Sequence, residues 1–279
     1  MKNVVIIGVG LIGGSLALDL KAFDSNTKVF GIDTNDNHLN QALKLGLINA
    51  SISYDELQIA DLVVIAVPVD VTLMILPKVL DHITDNCLVI DMGSTKEAIC
   101  KVVASHQNRR NFLASHPIAG TEFSGPKAAL KGLFKNKTNI ICEVEKTAFK
   151  LQQSGLQLFE KLGMRIRYMN PVAHDKHIAY VSHLSHISSF MLGKTVIEKE
   201  KNERDIFDMA GSGFESTVRL AKRSPEMWTP IFKQNKNNII ETLDEYIENL
   251  KTFKQHIEDD DFDEVYSEMK NTNHIKNII

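Results

Sequence analysis

Two groups of residues in this chain have the types and spacing to do chemistry. The first is Gly8-Val9-Gly10-Leu11-Ile12-Gly13, which lies between an apolar β-branched run and a helical pattern, with Asp33 closing the next such run twenty residues after Gly13. That context is the dinucleotide-binding fingerprint. Gly8 permits a tight turn, Gly10 lets a pyrophosphate approach the backbone, and Gly13 allows close helix-strand packing. The helix opening at Leu11 and Ile12 offers unpaired N–H groups to the phosphates. Asp33 can accept from ribose hydroxyls and would repel a 2′-phosphate. No Arg follows it in Thr34-Asn35-Asp36, so the expected cofactor is NAD rather than NADP. The second group is scattered: Ser94, His116 and Glu122 each follow a predicted strand, bringing a hydroxyl, an imidazole and a carboxylate to one edge.

The elements that must position these groups follow from periodicity. Short β-branched runs at 4–7, 28–33, 62–67, 88–91, 112–115, 139–144 and 165–169 alternate with helical stretches such as 11–22 and 39–45, the latter with Gly46 placed as a C-cap. This predicts an α/β fold, a doubly wound, mostly parallel sheet buried on both faces. Such sheets bind ligands beyond the C-terminal ends of their strands. Val67-Pro68, Gly93-Ser94-Thr95-Lys96 and His116-Pro117-Ile118-Ala119-Gly120-Thr121-Glu122 fall at those ends, and Lys96 could add charge near the cofactor.

After Asn170-Pro171 the strand signals stop and the remainder reads as helix. The expected division is therefore a nucleotide-binding domain over 1–169 and an all-helical domain over 170–279. Within the second domain, Ser182, His186 and Ser189 form a polar stripe on an otherwise apolar helix, as a pocket wall would. Ile239, Leu243, Tyr246, Leu250, Phe253 and Ile257 form an apolar stripe, either a bundle seam inside one chain or a dimer seam. Asp259-Asp260-Asp261 reads as a solvated turn. His174, His177, His183 and His186 recur at short spacings, but no thiolate or carboxylate set completes a shell around them, so no metal is expected.

Composition excludes several classes. With 279 residues, 43% hydrophobic and 24% charged, the chain can bury a sizeable core and is not of disordered type. A net charge of −3 provides no pull toward nucleic acid or an anionic membrane, which leaves a small molecule as the expected partner. Cys87, Cys100 and Cys142 are an odd set without close pairing, and no secretory signal is evident, so a reducing, cytoplasmic setting is expected.

Taken in order, Gly93-Ser94, His116 to Glu122, Val181-Ser182-His183-Leu184-Ser185-His186, Gly211-Ser212-Gly213-Phe214, Thr217-Val218-Arg219 and Met227-Trp228 resemble the prephenate dehydrogenase family of tyrosine biosynthesis, across essentially the whole chain. The resemblance implies a Rossmann domain, a helical dimerisation domain making a homodimer, and NAD-dependent oxidative decarboxylation of prephenate to 4-hydroxyphenylpyruvate and CO2. It implies that His116 accepts the hydroxyl proton, with Ser94 orienting it. Arg219, His186, Ser182, Glu122 and Trp228 would line the substrate site, while Gly8, Gly10, Leu11, Ile12, Gly13, Asp33, Val67 and Pro68 would hold NAD.

The implied reaction removes hydride from the ring carbon bearing the hydroxyl while the ring carboxylate leaves as CO2 and the ring aromatises. Neutral imidazole suits the proton it releases, and an Arg fork suits a carboxylate. One position departs from the family pattern. Many relatives carry an acidic residue three positions before the arginine, where this chain has Ser216, and the adjacent Glu215 is the available substitute. Two rival readings are arogenate dehydrogenase, which differs at the substrate side chain, and a non-catalytic NAD-sensing module on the same fold. No fused mutase or amino-acid-binding regulatory domain is expected.

Overall fold

The computed structural model describes residues 1–201, 203 and 205–278. Eight strands form one sheet: β1 (Asn3–Ile7), β2 (Lys28–Ile32), β3 (Ala50–Ser51), β4 (Leu62–Ile65), β5 (Leu88–Asp91), β6 (Phe112–Pro117), β7 (Thr138–Cys142) and β8 (Arg165–Met169). Their order is β3-β2-β1-β4-β5-β6-β7-β8. All neighbours are parallel except β6 and β7, which pair antiparallel. Direction of chain progress reverses between β1 and β4, which puts the ligand crevice beside the end of β1.

Alternation along β1 explains why both faces are covered. Val4 and Ile6 point into a core shared with Leu16, Leu20 and Phe159 of α1 (Leu11–Phe23) and α5 (Phe149–Lys161). Val5 and Ile7 point to the opposite core, with Leu76 and Leu80 of α3 (Val69–His82) and Ile99 of α4 (Glu97–Val102). α2 (Asp36–Lys44) starts three residues earlier than periodicity suggests, because the Asn35 side chain accepts from the Asn37 and His38 N–H groups. Gly46 ends it with φ +69°.

Strand ends differ from the sequence reading for local reasons. β7 stops at Cys142, since Glu143 turns left-handed at φ +49° and its carboxylate pairs with Arg109 at 2.9 Å. β4 stops at Ile65, leaving Ala66 and Val67 to approach the glycine loop. β3 is too short to show alternation. The three cysteine thiols are buried and unpaired, and burial pushes those of Cys87 and Cys142 up to about 12.

After β8 the described chain is mostly helical: α6 (Pro171–Ile178), α7 (Leu184–Glu200), α8 (Ser212–Val218), α9 (Pro225–Gln234), α10 (Lys236–Glu258) and α11 (Phe262–Thr272). Asn170 caps α6 by accepting from Val172 N–H, with Pro171 at the first helical position. A π-helical turn over Ala179–His183 joins α6 to α7. Asp261 is more than a solvated turn: its carboxylate caps α11 by accepting from Glu264 N–H. None of the described helices is long and apolar enough to cross a membrane.

Candidate active site

The glycine loop joins the end of β1 to the start of α1. Gly8 has φ +94°, and a Cβ there would lie 2.5 Å from the Ala66 carbonyl oxygen. A Cβ on Gly13 would lie 2.1 Å from the Gly8 oxygen, so α1 can cross this close only over glycine. Gly10 differs. Its absent Cβ would meet only Gly125 N, 4.0 Å away, which leaves a cradle open to a ligand. No side chain caps α1, so its first N–H groups remain available for phosphates. Leu11 is buried in the first turn, whereas Ile12 and Val67 are half-buried and Pro68 is exposed. The Asp33 carboxylate accepts from Val9 N–H at 3.1 Å and from Asn35 N–H at 2.9 Å, with lone pairs left for ribose hydroxyls. These groups fit a dinucleotide.

The segment after β6 crosses this end. Leu130 N–H donates to Ser15 Oγ at 2.9 Å and Gly132 N–H to the Asp19 carboxylate at 2.8 Å, fastening the segment to α1.

His116 is buried on β6, and its Nδ1 lies 2.8 Å from His174 Nε2 on α6. His174 Nδ1 in turn lies 2.7 Å from an Asp175 oxygen. The Asp175 carboxylate also accepts from the Lys96 and Glu97 N–H groups at 2.7 and 2.9 Å, fixing the acid at the start of α4. A chain of histidine, histidine and aspartate thus orients the His116 ring. Burial, then the neighbouring His174 and Lys96 charges, hold His116 well below the usual histidine range, so it stands as neutral imidazole, the form a proton acceptor needs.

The spacing of 58 residues between His116 and His174 hid this chain from sequence reasoning, which placed His174 only in a histidine cluster. The four histidines of that cluster do not converge. His183 is buried with Nδ1 3.1 Å from Asn235 Nδ2, His177 is exposed, and no group of three metal-ligating side chains occurs among the described residues. Lys96 corrects a second expectation. Fully buried, it pairs with Asp91 and donates to the Ser115 carbonyl at 2.7 Å, tying β5 to β6 instead of charging the cofactor cleft. Ser94 is half-buried beside it and has no side-chain hydrogen bond among the described residues; the ring nitrogen contact on His116 comes from His174.

The opposite wall is helical. Trp228 on α9 packs with Val69 and Ile231, seating α9 on the start of α3, and Thr95 Oγ donates to Gln234 at 2.7 Å. The Trp228 ring stacks on His186 with centroids 3.5 Å apart. His186 Nδ1 is 2.8 Å from the carbonyl of half-buried Ser182. Burial lowers His183 and His186 to about 4, so both are neutral. Ser189 Oγ donates to the Thr217 carbonyl at 2.8 Å and accepts from Ala221 N–H at 3.1 Å, clamping the turn that carries Arg219 onto α7. Arg219 and Glu122 are exposed. Glu215 faces Lys222 at 3.9 Å and not Arg219.

Among the described residues, five buried nitrogens around this wall have no protein partner: His183 Nε2, His186 Nε2, Trp228 Nε1, Arg223 Nε and Gln234 Nε2. Buried polar groups are nearly always paired, so a cluster of orphans marks a place for a polar ligand or water.

A dinucleotide cleft facing a neutral buried imidazole, with a helical domain closing the far side, defines a nicotinamide-dependent dehydrogenase. The family described as prephenate dehydrogenase, nucleotide-binding domain, matches residues 16–168, and its dimerization domain matches 170–271. The chain belongs to the prephenate dehydrogenase family. It is 31% identical to the prephenate dehydrogenase of Bacillus subtilis over 97% of this chain and 74% of that protein. It is 29% identical to the cyclohexadienyl dehydrogenase of Zymomonas mobilis over 96% and 93%. The crystal structure of Aquifex aeolicus prephenate dehydrogenase in complex with hydroxyphenyl propionate and NAD+ superposes with a TM-score of 0.90 at 32% identity, covering 100% and 98% of the two chains. The Synechocystis arogenate dehydrogenase gives 0.79 at 26% identity, covering 99% of each. The chain is an NAD-dependent oxidoreductase with NAD as cofactor.

Proposed function

We propose that the protein oxidises prephenate to 4-hydroxyphenylpyruvate and CO2 in the cytoplasm, for tyrosine biosynthesis. The observation that carries this reading is the neutral, buried His116 held by His174 and Asp175 at the end of β6, where the cleft meets the helical wall. NAD, when bound through the glycine loop, Asp33 and the Val67-Pro68 turn, supplies the hydride acceptor. His116 hydrogen-bonds the substrate hydroxyl, takes its proton as hydride leaves and the ring carboxylate departs as CO2, and returns it to the ring oxygen so that the phenol forms. His174 and Asp175 hold the ring in place for that transfer, and the burial that keeps it neutral lets it give the proton up again. Ser94 lines the cleft beside it.

Arg219 binds a substrate carboxylate, with His186, Ser182, Glu122 and Trp228 around the rest of the substrate. Residues 1–169 act as the nucleotide-binding domain and 170–279 as the substrate and dimerisation domain. Homodimerisation through the latter is supported by surface. The chain exposes 15847 Å², against about 12,000 Å² for a compact monomer of its mass. On α10, Leu250 and Ile257 of the predicted apolar stripe are 52% and 46% exposed, as is Ile240 beside it at 46%, so this part of the helix lacks apolar cover within one chain although Ile239 is buried.

The test is NADH formation at 340 nm with purified protein, offering prephenate or arogenate, each with NAD or NADP. Turnover of prephenate with NAD is expected. Turnover of arogenate alone reassigns the substrate, and silence with every pair despite NAD binding contradicts the enzymatic reading.

A further inference from the structure

We propose that Arg223, a residue outside the family motifs, is a second substrate-binding cation that selects the dianionic keto acid over its amino analogue. This rests on the reading of the substrate above. Arg223 lies between the Arg219 turn and α9, and its Nη1 donates to the Thr121 carbonyl in the segment after β6. A Cβ on Gly120 would come within 3.8 Å of that Nη1, so the guanidinium is seated closely against the loop. The loop is fastened to α1 farther along, which gives the guanidinium a fixed support. Arg223 is half-buried and its Nε is buried without a partner, so part of the fork has lost water and gained nothing from the protein.

The charges facing Arg223 are Glu122 and Arg219. Two guanidinium groups near one exposed carboxylate leave a surplus positive charge, which favours a ligand with carboxylates. Both arginines act on His186, while the charges acting on His116 are His174, Lys96 and His183. The arginine pair thus bears on the His186 end of the wall, where this proposal places the substrate's side chain. Prephenate carries a keto group and carboxylate there; arogenate carries an ammonium, which a second guanidinium repels.

The test is steady-state kinetics of R223Q and R223K with both substrates at saturating NAD. R223Q is expected to raise the KM for prephenate about tenfold or more, with kcat and the KM for NAD nearly unchanged, and to cut the prephenate-to-arogenate preference about tenfold. R223K, which keeps the charge and loses the fork, is expected to fall between. An active wild type whose preference is unchanged in R223Q overturns this inference alone, as does an equal loss with both substrates. A wild type silent with both substrates overturns the proposed function and this inference together.

Discussion

The two ends of the cleft are built from different materials. At the nucleotide end, backbone does the work: three glycines, one helix N-terminus and a single carboxylate, all within the first 33 residues. At the helical end, side chains from β6, α6, α7, the Arg219 turn and α9 converge, and several of their polar atoms remain unpaired. The nucleotide end presents a finished surface to an invariant ligand part. The helical end keeps unmet hydrogen-bonding capacity for a ligand with its own charge pattern.

The contrast predicts distinct failures. Gly13→Ala drives a Cβ into the Gly8 carbonyl oxygen and is expected to destabilise by at least about 3 kcal/mol in denaturant unfolding. Gly10→Ala meets open space and should leave the melting temperature unchanged while weakening NAD at least about tenfold by fluorescence titration, since the cradle is for the ligand. If the two substitutions behave alike, the division of labour within the loop is wrong. On the other side, His174→Gln removes the group that orients His116 and should lower kcat up to about a hundredfold with the Kd for NAD preserved.

Smaller effects sharpen the comparison. Ser189→Ala frees the Arg219 turn, and is expected to cost about 1 kcal/mol of stability and to raise the prephenate KM several-fold while sparing NAD. Acid sensitivity should gather at the helical end, where His116, His183 and His186 are all held below the ordinary histidine range. His183 and His186 titrate near 4 when folded and near the ordinary 6.5 or so when unfolded. Between those values the unfolded chain binds more protons, so stability is full above pH 6.5 or so and falls as pH drops toward 4. A melting temperature that declines from pH 7 to 5, with a shallower decline in His183→Gln, is the expected result.

The same contrast governs what could be read from sequence. Gly8, Gly10, Gly13 and Asp33 are legible because local spacing along one strand-loop-helix unit dictates their geometry. Strands buried on both faces, such as β1 and β4, announce themselves as β-branched runs, whereas the two-residue β3 has no pattern to show. The link from His116 to His174 and Asp175 depends on how α6 docks against the sheet, and no spacing encodes it. Lys96 misled because a lysine at a strand end reads as solvent-facing, while its aliphatic stem and its pairing with Asp91 let it sink completely. Arg223 escaped notice for a similar reason, its partner being a carbonyl 102 residues away.

The measurement that bears most directly on the account is hydride transfer in His116→Asn, followed as NADH formation from prephenate, beside its Kd for NAD. Turnover about a thousandfold below wild type with an unaltered Kd is the predicted result. Turnover near that of wild type would remove His116 from the chemistry and contradict the account.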